Sequence, residues 1–201
     1  MRIIGDVHQK YKQYRKVARG AEYSIQIGDM GFHYSLHINK DNHKFFGGNH
    51  DNYRIYDLSP HQIGHWGTYT HGGVKFFFIR GAFSIDKGMR IKDVSWWEEE
   101  QLNRGDALQA FDAYVVAKPD LVLTHSCPQV IAQQIGKPHV LRMFGYDPST
   151  FSTATQTLLQ NCFEAHQPTK WVFGHMHRNW TMDLNGTNFQ CLNELEYLDV
   201  G

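Results

Sequence analysis

Five short apolar runs in this chain each break into a small, polar turn that carries aspartate, asparagine or histidine. Arg2-Ile3-Ile4 runs into Gly5-Asp6-Val7-His8, and Tyr23-Ser24-Ile25-Gln26-Ile27 into Gly28-Asp29-Met30-Gly31. Phe45-Phe46 leads to Gly47-Gly48-Asn49-His50-Asp51, Leu121-Val122-Leu123 to Thr124-His125, and Trp171-Val172-Phe173 to Gly174-His175-Met176-His177. Carboxylate, imidazole and amide oxygen together suit manganese, iron, cobalt, nickel or zinc better than a calcium-type all-oxygen site. No thiolate is needed, which separates this set from a Cys-rich structural zinc site. Asp6/His8 and His175/His177 are i, i+2 pairs, and in extended backbone each pair points to one side. Asp29 stands alone at its strand end with two oxygens to share, and is the natural bridge between two ions. Asp6, His8, Asp29, Asn49, His125, His175 and His177 are too many for one tetrahedral ion and about right for two. Two ions ~3.5–4 Å apart activate a bridging water and clamp the oxygens of an in-line displacement.

Such residues meet only if the strands are parallel, because a parallel sheet gathers its carboxyl ends along one edge. The pattern supports this. Tyr11, Tyr14 and Val17 recur at helical spacing between the first two strands, giving a βαβ unit over few residues. Asn49 and His50 are adjacent and serve one site only if the chain turns sharply, which Gly47 and Gly48 permit. Residues 32–43 have no clear period and read as a short helix or loop over the site. His71-Gly72-Gly73 and Asn185-Gly186 each sit between β-prone runs and signal hairpins. Ser95-Trp96-Trp97-Glu98 has capping-box spacing, so a helix is expected from Trp96, in broken form, to Ala117 with an interruption at Arg104-Gly105-Asp106. Residues 129–147 read as irregular, and a helix is expected over 149–166, capped by Ser149 or Thr150.

The chain has 201 residues, 41% of them hydrophobic and 20% charged, which fits one soluble domain over 1–201. A net charge of zero gives no drive toward nucleic acid, so no nucleic-acid partner is expected. Three unpatterned cysteines argue against a disulfide framework. The N-terminus lacks a leader pattern, and no apolar run approaches the ~20 residues of a membrane span. A cytoplasmic protein without membrane contact is the expectation; the oligomeric state is not legible.

From Gly-Asp-Val-His through Gly-Asp, Gly-Asn-His-Asp and a lone histidine to Gly-His-Met-His, the motifs stand in the order of the calcineurin-like metallophosphoesterases. The sequence resembles that family, in particular its small bacterial and phage members, from residue 5 to residue 177. The resemblance implies an α/β fold, a four-layer α/β/β/α sandwich with a dinuclear centre at the carboxyl ends of the strands. It implies that Asp6, His8 and His177 hold one ion, that Asn49, His125 and His175 hold the other, and that Asp29 bridges them. It implies two divalent transition-metal ions, manganese first, with iron, zinc, nickel or cobalt as alternatives. The reaction implied is hydrolysis of a small phosphomonoester or phosphodiester, cyclic nucleotides included, by in-line attack of a metal-bridging hydroxide. His50 would protonate the leaving oxygen or stabilise charge on it, and Asp51 could orient His50.

Two departures from the Ser/Thr protein phosphatase branch stand out. Asp29 is followed by Met30-Gly31-Phe32-His33 rather than Arg-Gly, and His50 by aspartate rather than glutamate. The phosphate-gripping arginine of that branch therefore has no counterpart at its position. Arg80 and Arg90 are candidates to replace it, since a planar guanidinium suits phosphate oxygens. His33, in the loop over the site, is a further candidate for substrate contact. A protein phosphatase or nuclease on the same fold, or a non-catalytic metal-binding scaffold, are the alternatives.

Overall fold

The computed structural model describes residues 1–31 and 41–201. The chain opens with strand Arg2–Ile4 (β1), helix Tyr11–Arg19 (α1), strand Ser24–Ile27 (β2) and strand His43–Phe46 (β3). A one-turn helix, Tyr53–Tyr56 (α2), leads to the hairpin Trp66–His71 (β4) and Val74–Ile79 (β5). Helix Arg104–Ala117 (α3), strand Leu121–Thr124 (β6), and helices Gln129–Ile135 (α4), Pro138–Met143 (α5) and Ala154–Ala165 (α6) follow. Strand Lys170–Phe173 (β7), the hairpin Trp180–Leu184 (β8) and Thr187–Cys191 (β9), and strand Tyr197–Asp199 (β10) end it.

These strands form two mixed sheets, in the orders β10-β1-β2-β3 and β4-β5-β6-β7-β9-β8. In the first, β1, β2 and β3 are parallel and β10 pairs antiparallel with β1. In the second, β5, β6, β7 and β9 are parallel, flanked by antiparallel β4 and β8.

The period-two alternation of side chains along a strand explains the layering. Ile3, Phe46, Phe76, Phe78, Leu123 and Val172 point between the sheets and form one core. Their neighbours face outward onto helices: Ile4 and Phe45 join Tyr11, Tyr14 and Ala18 of α1. Phe77, Val122 and Trp171 join Tyr114 of α3 and Leu159 of α6. Three cores separate four layers, helix, sheet, sheet, helix, as the resemblance implies. Among the described residues no helix is long and apolar enough to cross a membrane.

Several local expectations are corrected. No α-helix begins at Trp96. Ser95 Oγ accepts from Ile91 N instead of capping, and Trp97 is extended and fully buried beside Tyr53 and Tyr56. A short 3-10 turn, Glu98–Glu100, follows, and α3 starts only at Arg104, with Asn103 accepting from Asp106 N as its cap. The supposed interruption at Arg104-Gly105-Asp106 is the first turn of that helix. The stretch 129–147 holds two short helices, with Pro138 in the first turn of α5, where a missing N–H costs nothing. Helix α6 starts at Ala154, capped by Thr153 and not by Ser149 or Thr150. Residues 32–40 of the loop expected over 32–43, with His33, lie outside the described residues.

Candidate metal centre

The carboxyl ends of β1, β2 and β3 in one sheet and of β6 and β7 in the other open at a common place, and the polar turns after them meet there. Asp6, His8, Asp29 and His177 each present a ligand atom, and the four atoms lie within 4.8 Å of one another. His8 Nε2 and His177 Nε2 stand 3.0 Å apart, and His177 Nε2 lies 3.3 Å from Asp6 Oδ2. Asp29 Oδ2 faces this group, 3.6 Å from His8 Nε2. Its other oxygen, Oδ1, lies 3.2 Å from His125 Nε2, which in turn is 3.1 Å from Asn49 Oδ1. The His175 ring packs edge-on against His125 at 5.2 Å. The Asp29 carboxylate thus stands between two donor groups, one oxygen toward each.

The i, i+2 pairs converge by a different route from the expected one. His8, His175 and His177 are not extended; they have positive φ (45°, 65° and 49°), and so does Asp29 (60°). Left-handed backbone is uncommon outside glycine, although aspartate and histidine adopt it more readily than most, and it clusters at functional sites. The glycines around them are explained by proximity. Gly47 and Gly48 have no positive φ, but a Cβ at Gly48 would meet Asp29 Oδ1 and lie 2.7 Å from His125 Nε2. A Cβ at Gly174 would meet Asp6 Oδ1.

The fit of this set to metal ions rests on its unsatisfied charge. Asp6 and Asp29 are fully buried, and Asp29 Oδ2 has no hydrogen-bond partner among the described residues. A buried carboxylate oxygen without a donor is costly unless a cation meets it. Burial raises the Asp6 pKa to about 7, with the Asp29 charge adding to it against the pull of His125. Burial lowers His125, but Asp29 and Asp6 outweigh it and push it up to about 9. The carboxylates demand a positive partner, whether proton or metal ion. Burial, helped by His125, holds His175 down at about 3, a neutral imidazole ready to ligate.

Surrounding groups aim the donors. His125 Nδ1 lies 3.0 Å from the Ile27 carbonyl and His177 Nδ1 lies 3.4 Å from Glu194 Oε1, so each ring turns its Nε2 lone pair inward. Glu100 is buried and its carboxylate accepts both the Ser84 N–H (2.9 Å) and the Ser84 hydroxyl (2.6 Å). The Ser84 oxygen is left to accept from Asn49 Nδ2 at 3.0 Å, which turns Asn49 Oδ1 to the centre. Neither Ser84, Glu100 nor Glu194 was legible in the sequence, since they follow no strand-end motif. Glu100→Ala is expected to weaken affinity for the ion beside Asn49 by about 10–100-fold, the usual effect of losing such a support. Competition against a chelator measures it, and unchanged affinity would refute the chain from Glu100 to Asn49.

The remaining candidates separate clearly. Asp51 does not orient His50: its carboxylate accepts from the backbone N–H groups of Asp29 (2.9 Å), Gly31 (2.8 Å) and Gly48 (2.6 Å). It staples the second and third motif turns together. Arg80 is buried, with Nη1 on the Glu99 carbonyl, Nε on His65 and its guanidinium over Tyr53, and it is not among the residues lining the cavity beside the centre, so its contacts are those of a packing residue rather than of the expected phosphate ligand. Arg90 lies against His50, its two terminal nitrogens 3.0 Å from the two ring nitrogens, and donates to Asp86 at 2.7 Å. Burial lowers the His50 pKa, Asp29 opposes, and Arg90 adds to the lowering. His50 N donates to Asp29 Oδ1 at 2.7 Å. Beside the centre opens a cavity of about 560 Å³, reached by Asn49, His50, His175 and His177 and walled by α4, α5 and the segment before α6.

No protein-family model and no curated protein matches this sequence. Solved structures do. One is the phosphopantetheinyl hydrolase of Mycobacterium tuberculosis, 14% identical with a TM-score of 0.54, over 96% of this chain and 89% of that one. Another is a protein of Staphylococcus aureus assigned as a 5'-nucleotidase, 11% identical with a TM-score of 0.51. It is matched over 97% of this chain and 48% of its own, so the chain spans about half its length. At such identities the likeness speaks for the fold alone: this chain shares an α/β/β/α sandwich with these structures, and its own Asp, Asn and His turns gather at the carboxyl ends of both sheets.

Proposed function

We propose that the protein is a metal-dependent phosphoesterase with a dinuclear centre. Asp6, His8 and His177 would hold one ion, Asn49, His125 and His175 the other, and Asp29 would bridge. Divalent ions bound there supply an activated water and neutralise charge on the phosphate oxygens. The single observation that carries this reading is the Asp29 carboxylate, fully buried, with one oxygen toward each donor group and no hydrogen bond to Oδ2 among the described residues.

The chain's own residues do the rest. His50 reaches the cavity beside the centre, on the side where a leaving alcohol has room. Arg90 carries only donors, so it favours a neutral His50 ring with one nitrogen accepting. Both ring nitrogens lie 3.0 Å from Arg90, so the ring and the guanidinium stand together beside the centre, and of the two roles considered a cation there favours stabilising the developing charge. Asp51, by fixing the turns of Asp29 and Gly48, holds the bridge and the Asn49-His50 pair in register. Names of the fold neighbours, a phosphopantetheinyl hydrolase and a 5'-nucleotidase, agree with phosphate-ester chemistry.

Manganese-loaded protein is expected to hydrolyse p-nitrophenyl phosphate, bis-p-nitrophenyl phosphate or both, and to stop when EDTA strips the metal. The ratio between the two substrates reports monoesterase against diesterase character. Hydrolysis that survives exhaustive chelation would refute the metal mechanism.

A further inference from the structure

The cavity beside the metal centre is much larger than a phosphate group. At about 560 Å³ it holds roughly 20 water-sized volumes of ~30 Å³. Its inner end is reached by Asn49, His50, His175 and His177, so a phosphorus held at the centre sits at one end and leaves the rest for the organic part. That remainder is walled by Phe83, Phe144, Phe151, Leu141, Ile135 and Met176. Phe83 and Phe151 pack edge-on at 6.0 Å, which gives the wall a fixed aromatic corner.

Away from the centre the wall also carries the uncharged amides and hydroxyls of Ser126, Gln129, Gln133, Ser149, Thr153 and Gln156, some of them already committed. Gln129 donates to the Phe151 carbonyl and accepts from the Ser152 hydroxyl. Thr153 Oγ1 caps α6 by accepting from Gln156 N. Besides histidines, the charged residues lining the cavity are Asp86, paired with Arg90, and the exposed Lys137. A second phosphate placed in the cavity would meet one lysine at the rim and no buried cation, and an unpaired charge there is costly.

We propose that this cavity selects the leaving group, and that the substrates are esters of a single phosphate with an uncharged, apolar alcohol, an aromatic ring system or alkyl chain. This rests on the phosphoesterase reading for the position of the phosphorus. Sugar-polyphosphates and other multiply charged alcohols are disfavoured by the same wall.

The test is calorimetric binding of three inert phosphonates to manganese-loaded full-length protein: methylphosphonate, octylphosphonate and (1-naphthylmethyl)phosphonate. The two larger ligands are expected to bind at least about tenfold tighter than the methyl compound, by burial of apolar surface. In Leu141→Ser and in Phe144→Ser that advantage is expected to shrink to about threefold or less. Equal affinities in the wild-type protein would overturn the proposal, as would an advantage that both variants retain. Should one variant fail to fold, the other variant and the wild-type series still decide. Hydrolysis of the p-nitrophenyl esters is run in parallel. Turnover without a phosphonate preference overturns this proposal alone, and a preference without turnover overturns the phosphoesterase reading and upholds the apolar site. No binding of any phosphonate overturns both.

Discussion

Asp29→Asn is expected to lower kcat/KM by at least about a thousandfold, roughly 4 kcal/mol of transition-state stabilisation, and to reduce bound metal from two ions toward one or none per chain. The reason is in the geometry of one carboxylate. Oδ2 faces the group of Asp6, His8 and His177, and Oδ1 faces His125 beside Asn49. An amide of the same shape keeps one oxygen and replaces the other with a donor, so whichever way it sits, one group meets N–H where it needs a lone pair. The substitution also removes the negative charge that offsets two cations. Elemental analysis of the purified variant and turnover of p-nitrophenyl esters measure the two effects separately. Wild-type metal content with wild-type turnover would sink the bridging role.

His50→Ala is expected to do the opposite to metal: both ions stay, and turnover falls by about 10²–10³-fold, the range lost with one group that stabilises developing charge. His50 holds Asp29 through its backbone N–H, which alanine preserves, while its ring packs edge-on against His8 at 5.0 Å and stands against Arg90 at the cavity, coordinating nothing itself in this reading. The loss should grow as the leaving group worsens, because a p-nitrophenolate carries its own charge and a phenolate needs help. Phenyl and p-nitrophenyl esters compared in both proteins give that dependence. If His50→Ala hydrolyses the phenyl ester at the wild-type rate, the assigned role is wrong. Asn49→Ala is the contrast: it should weaken the ion held beside His125 and leave leaving-group dependence unchanged.

Much of the architecture was legible because strands advertise themselves by period. Phe76-Phe77-Phe78 alternates between two cores, as a strand covered on both faces must. The hairpins at Gly72-Gly73 and Asn185-Gly186 were legible through φ values that glycine and asparagine tolerate, and those residues do have positive φ. The helix expected at Trp96 failed for an energetic reason. A cap is worth about 1 kcal/mol, whereas a buried tryptophan is worth about 3–5 kcal/mol. Trp97 is placed by the core beneath α2, and the chain there follows its side chain rather than its cap. Strand β10, which completes the first sheet against β1, carries too few residues for a pattern to show.

The sequence by itself determined which donors exist and where each stands: one turn after each of five apolar runs. That information is local, because a strand end and its turn are specified by neighbours. Only the tertiary structure decided how the donors face one another. Asp51 proved to be a staple for three backbone N–H groups, Arg80 a packing residue, and Glu100 the anchor of Asn49 through Ser84. Each of those roles joins segments from different strand ends, and in two cases from different sheets. They depend on the register set by the core between the sheets, where Ile3, Phe46, Phe78 and Val172 pack, and no spacing along the chain encodes it.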